Sequence, residues 1–468
     1  MSTVVAPQTQ RFWRELSATF WLALPIVIGQ LLSVAMNFID TVLAGQLSTH
    51  VLAAVAMGYQ VWVIALLIVI GLMLAITPCV AQLDGADQRD GVGEVFRQAL
   101  WLALFIGLVL MLVLRQAEPL LKITGVAAAV VPDAMAFLKA IAWAAPALAM
   151  VFACKNMSEG LSLARPTMYF GLLGVLLLLP LAYVLMYGRF GFPALGAVGA
   201  GIAHAVALWI QAICFLLYIW RRQHYRSVNL FERFDWPNLK ILKDLLRIGI
   251  PMGTALFMEG SLFVVMALLM GSLGEVSAGA HAVAINVASI VFMVPLGLSM
   301  ATTVRVGNAV GRRDAQGIIW AASAGITLML ITQIISASIL LGFPQQIAKI
   351  YTQDVATITL AVVLLKFTAW FQFSDGIQVL ANGALRGVKD TVVPALITVL
   401  AYWGIGFPVG WWLGFKLELG ANGLWMGLIV ALTVAALLLL LRFISLSKRL
   451  LREGVPDVLA RDAVPMVE

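Results

Sequence analysis

Twelve apolar runs, each about as long as a bilayer-crossing helix of ~20 residues, recur along this 468-residue chain between short polar or Gly/Pro-rich breaks. They fall at about 18–44, 52–80, 96–114, 133–154, 167–187, 196–220, 247–271, 278–304, 317–341, 357–383, 393–414 and 421–445. In lipid every backbone polar group has to be satisfied within the protein, which leaves helices or a closed barrel. A barrel would show short alternating segments of roughly ten residues, and these runs are long and continuous. The expected class is an all-α polytopic membrane protein with twelve transmembrane helices. Only 11% of the residues are charged and 62% are hydrophobic, against about 25% charged in a soluble domain, so no water-soluble globule fits.

The net charge of +7 would suggest nucleic acid in a soluble protein, so where the charge lies decides its meaning. If both termini share one side, 23 of the 30 Lys and Arg fall on that face and five on the other, with Lys139 and Lys366 inside spans. By the positive-inside rule both termini are cytoplasmic, and the basic excess faces anionic lipid, with no nucleic-acid partner implied. Arg11 and Arg14 precede a run too long for a signal peptide and without a small-residue cleavage site, so it reads as a retained first span. Cys79, Cys154 and Cys214 each sit in an apolar run and read as small hydrophobes.

Through the first two helices of each half the chain repeats itself in one register, the shift that carries position 25 onto position 251, and with a small slip the pattern returns late in the halves. Pro25 matches Pro251, Gly45 matches Gly271, Ala54 matches Ala280, Gly71 matches Gly297, Thr77 matches Thr303 and Gly85 matches Gly311. Six helices per half is an even number, so the halves should be related by a pseudo-two-fold axis along the membrane normal. The expected organisation is an N-tail 1–17, an N-lobe 18–220, a charged cytoplasmic linker 221–246, a C-lobe 247–446 and a cytoplasmic C-tail 447–468.

Three acidic residues lie within the expected spans: Asp40 in the first, Glu259 in the seventh and Asp375 in the tenth. A charge at that depth costs several kcal/mol and normally faces a bundle interior or a wet cavity. Around Asp375, Gln372, Gln378 and Asn382 share an arc of the tenth helix with Thr368. Around Asp40, Gln30, Ser33 and Asn37 do the same on the first. Glu259 lies instead in an apolar stripe with Phe263. Phe263, Met293 and Phe371 complete the candidate lining, and Met258, Met293, Met300, Phe257, Phe292 and Trp370 could form an aromatic and thioether surface for lipophilic cations. The carboxylates could bind protons or supply oxygens to Na+, and the sequence leaves that choice open. His204 and His281 read as hydrogen-bonded spacers. No HExxH, GxSxG, Walker A or paired-Cys motif occurs, so no enzymatic activity and no organic cofactor are expected.

Several motifs together resemble the MATE multidrug exporters, and within them the NorM-like branch. They are Phe38-Ile-Asp-Thr-Val-Leu-Ala-Gly45, Glu159-Gly-Leu-Ser-Leu-Ala-Arg-Pro166, Met258-Glu-Gly260, Arg305-Val-Gly-Asn308 and Leu385-Arg-Gly-Val-Lys-Asp-Thr391. The resemblance covers roughly residues 15–450. It implies two six-helix lobes around a V-shaped cleft and export of organic, often cationic, compounds against inward cations. It makes Asp40 the N-lobe acid and Glu259 and Asp375 the cation-binding acids of the C-lobe. Two departures bear on the ion. Leu178 and Ala182 flank Pro180 where relatives often carry Asn, and Phe371 stands where relatives often carry Tyr. Both remove oxygen ligands and tilt the coupling ion towards H+.

The expected function is a monomeric secondary exporter of drug-like cations in the cell inner membrane, driven by H+ or Na+ through alternating access. The rivals are a lipid-linked oligosaccharide flippase of related architecture, which calls for a basic cavity, and an intramembrane lipid-modifying enzyme.

Overall fold

In a computed structural model, the structure describes residues 8–123, 128–228, 230 and 234–455, and no β-strand occurs among them. Each expected apolar run falls inside one helical span. These are α1 (Gln8–Leu47), α2 (Thr49–Gly85), α3 (Arg89–Leu114), α4 (Val131–Ile141 and Ala144–Gly160), α5 (Arg165–Tyr187), α6 (Gly196–Arg221), α7 (Leu239–Ser272), α8 (Glu275–Gly311), α9 (Ala315–Gly342), α10 (Val355–Gly387), α11 (Val392–Lys416) and α12 (Gly420–Glu453). Eleven qualify as single spans, and the two parts of α4, bent by 47°, make the twelfth.

The bend in α4 has a covalent cause. Pro146 has no N–H to donate to the Ala142 carbonyl, and Ala145 N donates to that carbonyl in a tighter turn at 3.1 Å. Pro78 acts in the same way on α2, which loosens between Met73 and Ile76. Sharp starts are fixed by side-chain caps. Ser48 accepts from Val51 N at 3.1 Å, Asp314 from Gly317 N at 2.8 Å and Asp354 from Thr357 N at 2.8 Å.

The helices reach further than the apolar runs, and this corrects the placement of several charges. Lys155 and Glu159 lie within α4 and Arg386 within α10, all buried, whereas hydropathy alone puts them in loops or at helix ends. They are tolerated because each is bonded. Lys155 Nζ donates to Gln30 Oε1 at 2.8 Å, Thr167 donates to Glu159 at 2.9 Å, and Arg386 donates to the Thr303 hydroxyl at 2.9 Å.

Contacts gather the chain into two units. One runs from Ile28 to Gly253; the other joins the residues up to Val27 with those from Thr254 onward. The two division points, after Val27 and after Gly253, are equivalent positions in the repeat register. Within the second unit the start of α1 is held by Arg305, which donates to Glu15 at 2.6 Å, and by Gly297, whose missing Cβ leaves room for Val27. Within the first, Gly71 lets the backbone of Gly253 come close, and Gly249 does the same for Leu72.

The internal repeat is written in the backbone of each unit. Asp87 and Arg313, equivalent in the repeat register, take φ of 58° and 56° between their helices, and Ser162 and Lys389 take 60° and 61°. Gly160 packs on Val80 and the Thr77 carbonyl; Gly387 packs on Val306 and the Thr303 carbonyl.

The segment before α7 is pinned to the ends of α3 and α4. Arg97 pairs with Asp235 at 2.6 Å, Gln98 donates to the Trp236 carbonyl at 2.9 Å, and the Tyr225 hydroxyl donates to Ser158 at 2.9 Å. Burial raises the Tyr225 hydroxyl above the ordinary tyrosine range, opposed by its bond to Ser158.

Candidate functional site

The seventh and tenth helices bring Glu259 and Asp375 together, as two acids of one unit. Asp375 is buried and Glu259 half-buried, and each lies within electrostatic reach of the other. Gln378, one turn beyond Asp375, donates its amide to the Glu259 carboxylate. Tyr402 completes the group from α11 and interacts with both charges. Its backbone belongs to a π-helical stretch, Leu400–Gly406, a local widening of the helix that recurs at functional sites. Trp403, next along, donates its indole N–H to the Met258 carbonyl at 3.2 Å and so ties α11 to the turn that carries Glu259.

Three oxygens of this cluster have no hydrogen-bond partner among the described residues: Asp375 Oδ1, Gln378 Oε1 and the Tyr402 hydroxyl. Buried polar atoms are almost always bonded, and three oxygens at one place can take up a bound proton or coordinate a small cation.

The other candidates of this unit divide by role. Phe371 is buried between Phe263, edge-on at 6.2 Å, and Trp425, tilted at 5.8 Å, one turn before Asp375. Met293 and Asn382 are half-buried. Gln372 belongs to an amide network with α9: it accepts from Ser336 at 2.7 Å, and its carbonyl accepts from Gln333 at 3.0 Å. His281 is buried against Trp425 at 5.8 Å with neither ring nitrogen bonded among the described residues, so it is not the hydrogen-bonded spacer expected of it.

In the other unit Asp40 is 1% exposed, and His204 Nδ1 of α6 stands 3.0 Å from its Oδ2. Trp62 of α2 holds the imidazole edge-on at 6.3 Å, and Tyr59 lies within electrostatic reach of Asp40. Asp40 Oδ1 has no partner among the described residues. The expectation for His204 as a spacer is thereby sharpened to a direct partner of the acid. Gln30 is engaged by Lys155 and Ser33 by the Gly29 carbonyl at 3.0 Å, while the Asn37 side chain lies outside the described residues. Leu178 and Ala182, on either side of Pro180, are fully buried and bring no oxygen. Met266, the repeat-equivalent of Asp40, is also fully buried.

Sequence reasoning missed one residue, Tyr402, and found another, His204, without its partner. Tyr402 is one hydroxyl in an apolar run, and no local pattern announces it. His204 lies 164 residues from Asp40; its signal was being an ionisable residue in a span, the criterion that found the acids.

A family model described as MatE matches residues 25–184 and 251–412, and the second match begins at the repeat-equivalent of the first. A probable multidrug resistance protein NorM of Xanthomonas campestris pv. campestris is 47% identical over 96% of this chain and 98% of its own length. The multidrug resistance protein PmpM of Pseudomonas aeruginosa is 42% identical over 95% of this chain and 94% of its own. Among solved structures, the eukaryotic MATE transporter AtDTX14 superposes with a TM-score of 0.86 at 21% identity, covering 95% of this chain and 99% of that one.

Proposed function

This chain belongs to the MatE family, and from that premise we propose that it exports lipophilic, mostly cationic small molecules by alternating access, driven by protons moving inward through Glu259, Asp375 and Asp40. The names of its relatives, NorM and PmpM, are those of multidrug resistance proteins. The observation that carries the coupling is the acid pair Glu259–Asp375 beside three oxygens that have no hydrogen-bond partner among the described residues. A carboxylate pair in low dielectric resists holding two negative charges. One proton bound or lost therefore changes the net charge of the cluster, and with it the cost of burying it. That change is what couples an ion gradient to a conformational cycle. Substrate cations compete for the same field, so protonation favours release and deprotonation favours uptake.

Na+ is the second reading. Tyr402 offers a hydroxyl near the acids even though Phe371 brings none, so Glu259, Asp375, Gln378 and Tyr402 supply oxygens of the type that hard cations take. The lack of oxygens at Leu178 and Ala182 favours the proton in the other unit. In this reading the protein is a monomer in the inner membrane with both termini cytoplasmic, as the basic loops require.

The test is extrusion of a fluorescent lipophilic cation from efflux-deficient bacterial cells preloaded with it. Expression of this chain should accelerate extrusion, and a protonophore should abolish the acceleration. Extrusion no faster than in cells without the chain would refute export, and flipping of lipid-linked oligosaccharide in its place would support the rival.

A further inference from the structure

On the face of α6 turned away from Asp40 the structure has a groove of about 710 Å³, closed on its other side by α4. Its lining is Ile202, Val206, Trp209 and Ile213 on α6 with Ala140 and Trp143 on α4, and Lys139 stands in its wall. Ile202, Val206 and Ile213 lie about 180° around α6 from His204 at 100° per residue, so its contents do not meet the transport acids. Along α6 it runs from Val198 to Ile213, about 22 Å of helix rise, which exceeds the ~15 Å of hydrocarbon in one leaflet. The length and lining suit an alkyl chain.

The mouth of the groove is cationic. The Arg115 guanidinium lies over the Trp143 ring, 5.1 Å from its centroid, and Lys139 is one turn before Trp143 on the same face. The acids nearby are already engaged. Glu118, within electrostatic reach of Lys139, is bonded to Lys122 at 2.7 Å, and this bond lowers its carboxyl below the ordinary range. Asp133 is bonded to His50 at 2.7 Å. Positive charge is scarce on this side of the protein, where only five Lys and Arg lie in loops. Two cations converging on one apolar groove there therefore ask for an anion with a tail. The Trp209 indole donates to the Trp143 carbonyl at 2.9 Å, which ties α6 to the bend of α4 beside the groove.

We propose that this groove binds an anionic phospholipid of the outer leaflet, its acyl chain between α4 and α6 and its phosphate on Lys139 and Arg115. Each such charge near a membrane surface contributes about fivefold in affinity.

The test is native mass spectrometry of the full chain reconstituted with equal phosphatidylglycerol and phosphatidylcholine. The wild type should retain phosphatidylglycerol preferentially. The Arg115→Gln/Lys139→Gln protein should retain at least tenfold less, with phosphatidylcholine unchanged. Val206→Trp fills the groove from its exposed side, and it should lower retained lipid while unfolding in lipid-free detergent at the wild-type temperature. Equal retention of both lipids by the wild type, or unchanged phosphatidylglycerol in the double variant, would overturn the proposal. So would displacement of the lipid by a transported cation, or a second copy of the chain replacing it on the spectrum.

Discussion

His204→Ala removes the hydrogen-bond partner that the described residues give the Asp40 carboxylate. Asp40 is 1% exposed and His204 6%, they meet at 3.0 Å, and the second carboxylate oxygen is already without a partner among the described residues. A hydrogen bond to a charged group contributes roughly 1.5–3 kcal/mol, and stranding a buried charge costs ~3–5 kcal/mol. The ring packed edge-on against Trp62 at 6.3 Å is lost as well. The Ala protein should therefore lose about 3 kcal/mol of stability in a detergent unfolding assay, together with most of its gradient-driven efflux. His204→Asn places an amide donor where Nδ1 stood, so it should restore most of the stability without restoring a titratable group. A double-mutant cycle of Asp40→Ala and His204→Ala, each of which removes the interaction, isolates the pair. The expected coupling is at least ~1.5 kcal/mol. Additive losses, or an Ala protein that is as stable and as active as wild type, would refute a working Asp40–His204 pair.

Two further outcomes are expected. Single cysteines at Ser48 and Asn238, in a background lacking the three native ones, should label from opposite sides of intact cells; labelling from one side would overturn the twelve-span topology. Arg442→Ala should cost ~3–5 kcal/mol, because Asp390, fully buried between α10 and α11, accepts from Arg442 at 2.9 Å. Burial holds the Asp390 carboxyl above the ordinary range and Arg442 opposes it. An acid raised in the folded state stabilises most below its unfolded pKa and loses that contribution as pH rises through the folded one. The deficit of the variant should therefore be larger at pH 8 than at pH 5 in thermal unfolding, and a deficit independent of pH would contradict this assignment.

The spans were legible in the sequence because the bilayer imposes a length that only long apolar runs meet, and the repeat because the first two helices of each half keep one register from Pro25 and Pro251 to Gly85 and Gly311. The ends of the helices were not. Lys240, Lys243, Asp244 and Arg247 are polar enough to stop a hydropathy reading, yet a helix from Leu239 carries them readily. Lys155 and Glu159 were misplaced for a related reason: hydropathy counts a charge as solvent-exposed, and their partners Gln30 and Thr167 come from other helices. The breaks in α2 and α4 did have local signals in Pro78 and Pro146. Of the site, the acids Asp40, Glu259 and Asp375 could be found because an ionisable group inside a span needs a reason to be there. What each acid meets could not. The approach of His204 to Asp40 and of Tyr402 to Glu259 depends on how helices distant in sequence pack, and for Tyr402 on a π-helical turn.

Proton coupling through Glu259 and Asp375 is tested most directly by efflux of a fluorescent cation from Na+-free proteoliposomes under a pH gradient alone. Glu259→Gln and Asp375→Asn keep size and hydrogen bonding and remove only titration. Wild type should transport, and each variant should lose gradient-driven transport while still binding substrate. Transport by both variants at the wild-type rate would contradict the assignment of the acids, and wild-type transport only under a Na+ gradient would contradict the proton.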